Sequence, residues 1–161
     1  MVRVAEPLIS DLKKALLGWL YPAGYNLERW AYALQRISGI AVTAYFLAHI
    51  VETGNVIGGM AVWSVPSFNS AKDVWTATFQ FLDNPVFDAG LVVIGFMLAY
   101  HTINGIRLTL TEFGLLQGRP TRPDFPYEAK SFTKSQRALF WLSVIFAVAT
   151  AVYALNVFFG V

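Results

Sequence analysis

Two histidines, His49 and His101, stand inside long apolar runs, Ala44-Tyr45-Phe46-Leu47-Ala48-His49-Ile50-Val51 and Phe96-Met97-Leu98-Ala99-Tyr100-His101-Thr102. Ionisable side chains at membrane depth are expensive and mark either a functional site or a hydrogen-bonding partner inside a helix bundle. Imidazole is also the ordinary axial ligand of haem iron. The wider apolar stretches that hold them, 30–51 and 89–110, carry one arginine each, Arg36 in the first and Arg107 in the second. A guanidinium fork matches a carboxylate through two parallel hydrogen bonds, which suits it to a haem propionate. There is no cysteine, which excludes thiolate metal sites, disulfides, c-type haem attachment and an iron–sulfur cluster held by this chain.

Spacing sharpens the chemistry. Arg36 and His49 are thirteen positions apart, or about 20 Å along a helix axis. His101 and Arg107 are six apart, or about 9 Å. In antiparallel helices the two histidines then differ in depth by about 10 Å, too far to clasp one iron from opposite sides. If both are ligands there are two haems, and each needs a second ligand from a partner membrane subunit. Ser38, Val42, Tyr45 and His49 share a stripe of the first helix, and His101, Gly105 and Leu108 a stripe of the second. Glycine on such a stripe admits a flat macrocycle or a close helix, and Gly105 alone does not choose between them.

The elements that must position these residues are three transmembrane helices, expected at about 30–51, 89–110 and 138–161. Hydrophobic residues make up 56% of the 161 and charged residues only 14%, against about 25% charged in a soluble domain. Five Trp, seven Tyr and thirteen Phe suit the water–lipid boundary. Each run reaches the roughly 20 apolar residues that span a hydrocarbon core. The fold class is therefore an all-α integral membrane protein, expected as a single membrane-anchor domain over residues 1–161, without repeat.

Charge sets the expected orientation. Lys72 alone among the twelve Lys and Arg lies between the first and second helices, beside Glu52, Asp73, Asp83 and Asp88. Arg119, Arg122, Lys130, Lys134 and Arg137 make the second connection basic. Basic residues stay on the cytoplasmic side, so the N-terminus is expected inside. Leu8–Tyr21 mixes Asp11, Lys13 and Lys14 with Leu8, Leu12, Leu16, Trp19 and Leu20, and reads as an amphipathic surface helix. A short helix is expected from near Ser70, with Asp73 completing a capping box. Pro120, Pro123 and Pro126 are expected to keep the inner connection extended. Neither a signal-peptide nor a transit-peptide pattern is visible, so a prokaryotic cytoplasmic membrane is expected, and no nucleic-acid partner.

Gln35-Arg36-Ile37-Ser38-Gly39, together with Ala99-Tyr100-His101-Thr102-Ile103-Asn104-Gly105-Ile106-Arg107 and Thr111-Glu112-Phe113-Gly114, resembles the cytochrome b subunit of succinate dehydrogenase, respiratory complex II. The three-helix layout extends the resemblance over nearly the whole chain. It implies a complex in which a flavoprotein subunit oxidises succinate and an iron–sulfur subunit carries electrons to the membrane. There two anchor subunits bind haem b and reduce a quinone. The resemblance makes His101 a haem ligand and places Arg36, with Ser38, near the quinone and the haem propionates. Tyr32 stands where many members with a single haem have a quinone-binding serine, and Gln35 where they have histidine. His49 looks like the extra ligand of two-haem anchors, so two haems b are expected, shared with the second anchor.

On this reading the subunit does none of the succinate chemistry; it supplies an apolar quinone slot in which Arg36 stabilises developing negative charge. A haem-free structural anchor is one rival. An anchor running the reaction as a fumarate reductase is another, and residue types do not separate the two directions. A histidine-relay transporter is disfavoured, because three helices here lack paired midplane acids and broken segments.

Overall fold

A computed structural model describes residues 5–20, 26–58, 71–118 and 132–160. Among them are five helices and no strand: α1 (Ala5–Leu20), α2 (Leu27–Gly58), α3 (Ala71–Leu82), α4 (Pro85–Glu112) and α5 (Lys134–Phe159). Three are long and apolar enough to cross a membrane, over Leu27–Gly54, Pro85–Glu112 and Lys134–Phe159. At 1.5 Å per residue, 28, 28 and 26 residues span about 40 Å each, enough for hydrocarbon and part of both interfaces. The three expected spans are present, each starting three or four residues earlier than hydropathy alone suggests. Ser70 and the three prolines of the inner connection lie outside the described residues.

The helix ends are written in capping residues. Asn26 caps α2, its Oδ1 accepting the Arg29 N–H at 3.2 Å, and Glu28 in the first turn complements the helix dipole. Asn84 caps α4 through its Oδ1 and the Val86 N–H at 2.8 Å, with Pro85 at the first helical position, where a missing N–H costs nothing. The C-terminus of α4 closes as a Schellman turn. The Leu115 N–H reaches the Leu110 carbonyl at 3.1 Å and the Gly114 N–H reaches Thr111 at 3.0 Å, with Gly114 at φ +78°. Thr133 and Gln136 form a capping box at the start of α5. The Gln136 N–H donates to Thr133 Oγ1 at 3.2 Å, and the Thr133 N–H to Gln136 Oε1 at 3.3 Å.

α1 carries Ile9, Leu12 and Leu16 along one stripe, at 64, 58 and 50% exposure. Asp11 and Lys14 lie on the other side, 4.0 Å apart and largely in solvent. It is amphipathic, as expected, with its apolar stripe open for a membrane surface or a partner.

The chain forms two compact units, one of Met1–Ser38 with Tyr100–Val144, the other of Gly39–Ala99 with Ile145–Val161. In the first, the beginning of α2, the end of α4 and the beginning of α5 pack around Ala31, Ala33, Tyr100, Asn104 and Phe140. The Tyr100 and Phe140 rings meet edge to face at 6.4 Å. In the second, Val42, Val74, Val92, Ala99 and Ala147 are buried, and Gly95 of α4 faces the Thr150 side chain of α5. Alanines at 31, 33, 99 and 147 are buried among larger side chains, and small residues of this kind let helices in lipid approach closely.

Candidate functional site

In the first unit, α2 presents Ala31, Gln35 and Ser38 to α4, positions four and three apart and therefore on one face. α4 answers with Tyr100, His101, Asn104 and Arg107. Tyr100 donates its hydroxyl to the Ala31 carbonyl at 3.3 Å. The Nδ1 of His101 lies 3.2 Å from Ser38 Oγ and 3.2 Å from the Gln35 carbonyl oxygen. The Ser38 hydroxyl itself donates to that carbonyl at 3.1 Å. A carbonyl only accepts, so the proton of neutral His101 belongs on Nδ1, and Nε2 keeps its lone pair. Among the described residues nothing is hydrogen-bonded to Nε2.

Behind the histidine lies a buried polar chain. Asn104, 0% exposed, donates through Nδ2 to Gln35 Oε1 at 2.8 Å. Arg107, 4% exposed, donates through Nε to Asn104 Oδ1 at 2.8 Å. Its guanidinium carbon sits 4.7 Å over the Phe132 ring. Gln35 Nε2 points to the His101 carbonyl at 3.4 Å. A Cβ built on Gly105 would lie 3.5 Å from that same Gln35 nitrogen. That is ordinary contact distance, so the glycine faces α2 without being required for its approach.

Arg36 and Tyr32 are on the exposed face of α2. The Arg36 guanidinium carbon stands 4.2 Å above the Tyr32 ring and that of Arg29 5.8 Å from it, a cation–π arrangement that steadies Arg36. So Ser38 and His101 are brought into contact and Arg36 is stacked on Tyr32, while Arg107 is turned inward to Asn104. Gln35 and Asn104 were not singled out as site residues by the sequence reasoning. The available signal was Asn104 itself, an amide three positions after a histidine inside an apolar span, which must find a partner.

His49 belongs to the second unit, where it is exposed on α2. Its ring lies parallel to that of Tyr45, at 6° and 5.8 Å between centroids. Both line a cavity of about 480 Å³ whose walls include Glu52, Trp75, Phe87 and Gly90. That is within the usual range of small-molecule pockets, about 300–1,000 Å³.

Among the described residues no group of three or more His, Cys, Asp or Glu side chains could hold a metal ion. A lone histidine of this kind suits a metal-bearing group that brings its own further donors. His101 fits that part, with Nδ1 engaged and Nε2 available, the arrangement common to metal-ligating histidines.

No curated protein and no solved structure gives a significant match to the chain. The family model of the succinate dehydrogenase/fumarate reductase transmembrane subunit matches residues 20–152, which takes in α2, α3, α4 and most of α5. The chain belongs to that family of multi-pass membrane subunits, which work in complex with the other subunits of succinate dehydrogenase or fumarate reductase.

Proposed function

We propose that this chain is the cytochrome b anchor of a succinate:quinone oxidoreductase, in which His101 would hold haem b together with a ligand from a second anchor subunit. The observation that carries the reading is the state of the His101 ring. Its Nδ1 faces a carbonyl and a hydroxyl, both at 3.2 Å, and its Nε2 is free among the described residues. When bound, the haem supplies one-electron redox capacity beside the path from the iron–sulfur subunit to the quinone.

The chain's own residues bind and orient. Ser38 and the Gln35 carbonyl keep the proton on Nδ1, which strengthens His101 as a donor to iron. Arg36, exposed and steadied by Tyr32, offers its fork to a propionate carboxylate or to a quinone oxygen that gains charge on reduction. The Tyr32 hydroxyl is a second donor on that face. Arg107 supports the site from behind, through Asn104. His49, beside a cavity with aromatic walls, is the candidate ligand for a second haem b. The basic second connection supports an N-terminus on the cytoplasmic side of a prokaryotic membrane. The flavoprotein and iron–sulfur subunits would dock on that side, and the direction of catalysis is set by them and by the quinone's potential.

The test is the haem content of the purified complex. His101→Ala is expected to remove one haem b per chain, to leave succinate oxidation by soluble dyes largely intact and to depress quinone reduction. Unchanged haem content in that variant overturns the ligand assignment. Loss of a further haem in His49→Ala supports the two-haem form, and unchanged content there returns His49 to a hydrogen-bonding role.

A further inference from the structure

We propose that Gln35, Asn104 and Arg107 form a positioning relay that fixes the His101 ring and tunes its strength as a ligand. The inference rests on the reading of His101 as a haem ligand and goes beyond it, because none of the three touches iron or quinone in this role.

The direction of the relay follows from what each group can donate or accept. The Arg107 Nε–H can only donate, so the Asn104 oxygen must face it, at 2.8 Å. The Asn104 amide nitrogen then faces Gln35, where it needs an acceptor, and Gln35 Oε1 lies 2.8 Å away. That choice leaves Gln35 Nε2 as a donor, aimed at the His101 carbonyl at 3.4 Å. Amide orientations are often ambiguous; here the guanidinium settles both. With Asn104 wholly buried, a reversed amide would set donor against donor away from water, which leaves both unsatisfied.

Gln35 therefore holds His101 in two places. Its side chain binds the histidine's carbonyl, and its own backbone carbonyl lies against Nδ1 at 3.2 Å. The second contact makes the imidazole a stronger donor, which favours ferric over ferrous iron and lowers the haem potential. The first keeps α2 and α4 in the register that permits it. Arg107, permanently charged and buried against Phe132, anchors the series.

The experiment uses the assembled complex carrying Asn104→Leu, read by the low-spin haem signal in electron paramagnetic resonance, by redox titration and by haem retention. His101 remains present, so haem still binds. The expected result is an altered low-spin signal, an upward shift of the haem midpoint potential and about 10- to 100-fold weaker haem affinity. Asn104→Asp keeps an acceptor for Arg107 but loses the donor to Gln35. It carries the test if the leucine variant fails to assemble, and the same direction of shift is expected. An unchanged signal and potential in an assembled Asn104 variant overturns the relay, because a merely structural amide would alter yield and nothing else. His101→Ala alongside separates the two claims. Haem loss there with an unmoved Asn104 variant refutes the relay alone, whereas unchanged haem there refutes the ligand assignment beneath it.

Discussion

Arg36 and Arg107 carry the same charge and the structure gives them opposite tasks. Arg107 is 4% exposed and committed to Asn104, whereas Arg36 is exposed and lies over the Tyr32 ring. Lysine shares the charge of Arg36 but neither its planar stacking nor its fork. Arg36→Lys is accordingly expected to lower quinone reduction about tenfold or more while electron transfer from succinate to soluble dyes holds, as the two assays on one preparation will report. A drop of about 1.4 kcal/mol in binding is enough for that factor, and loss of one charge-assisted bond reaches it. The pairing of Ser38 with His101 was only half legible in the sequence. Both residues lie on helical stripes that could be drawn, but which stripes face each other depends on how two helices are rotated. Apolar spans with no polar side carry no record of that rotation. Asn104 was the exception, a polar mark on the inward face that spacing arguments about histidine and arginine passed over.

The helices were legible in existence and less so in extent. Hydropathy finds the lipid-crossing part, about 30–51 for α2, whereas Asn26 and its bond to Arg29 fix where the helix begins. Asn84-Pro85 and Thr133-x-x-Gln136 do the same for α4 and α5, and both signatures stand in the chain. The end of α4 and the start of α5 are also tied to one another. Gln136 Nε2 donates to the Leu116 carbonyl at 3.2 Å and lies 3.4 Å from Thr111 Oγ1, and Thr133 Oγ1 bonds Leu116 at 3.3 Å. Thr133→Ala should thus cost about 1 kcal/mol or more, as the cap and the tie to Leu116 go together. Gly114→Ala meets no neighbouring atom, so its cost is backbone strain alone, about 1–2 kcal/mol at positive φ. Lower melting temperatures of the purified complex, with an unaltered haem spectrum, are the expected readout for both.

On the scale of the whole molecule, little of the apolar surface is covered by the chain itself. Only 11, 17 and 17% of the three hydrophobic windows is buried within it, and Ile40, Leu47, Ile145 and Phe146 are each more than half exposed. Helices this apolar suit contact with lipid, and the family to which the chain belongs works in complex with other subunits. The consequence for the proposed cofactor is direct, since a single chain offers one ligand per iron. Expressed without its partner anchor, the chain is expected to show no stoichiometric low-spin haem spectrum, and co-expression of that anchor should restore it. A full spectrum from the chain alone would mean that copies of it supply both ligands.

The bond between Asn104 and Gln35 joins positions 69 apart in the chain, and it binds their histories as well as their atoms. Replacing Gln35 alone leaves the Asn104 N–H without its acceptor, and replacing Asn104 alone leaves Gln35 Oε1 without its donor, at about 1–3 kcal/mol for a buried group. The two sites should therefore drift through evolution as a couple. A relative with histidine in place of Gln35, as the family resemblance leads one to expect, must offer the amide a ring nitrogen instead of the glutamine oxygen. Where that nitrogen is turned away, the residue at the position of Asn104 should have changed too, so that a substitution in one helix can be read from the other.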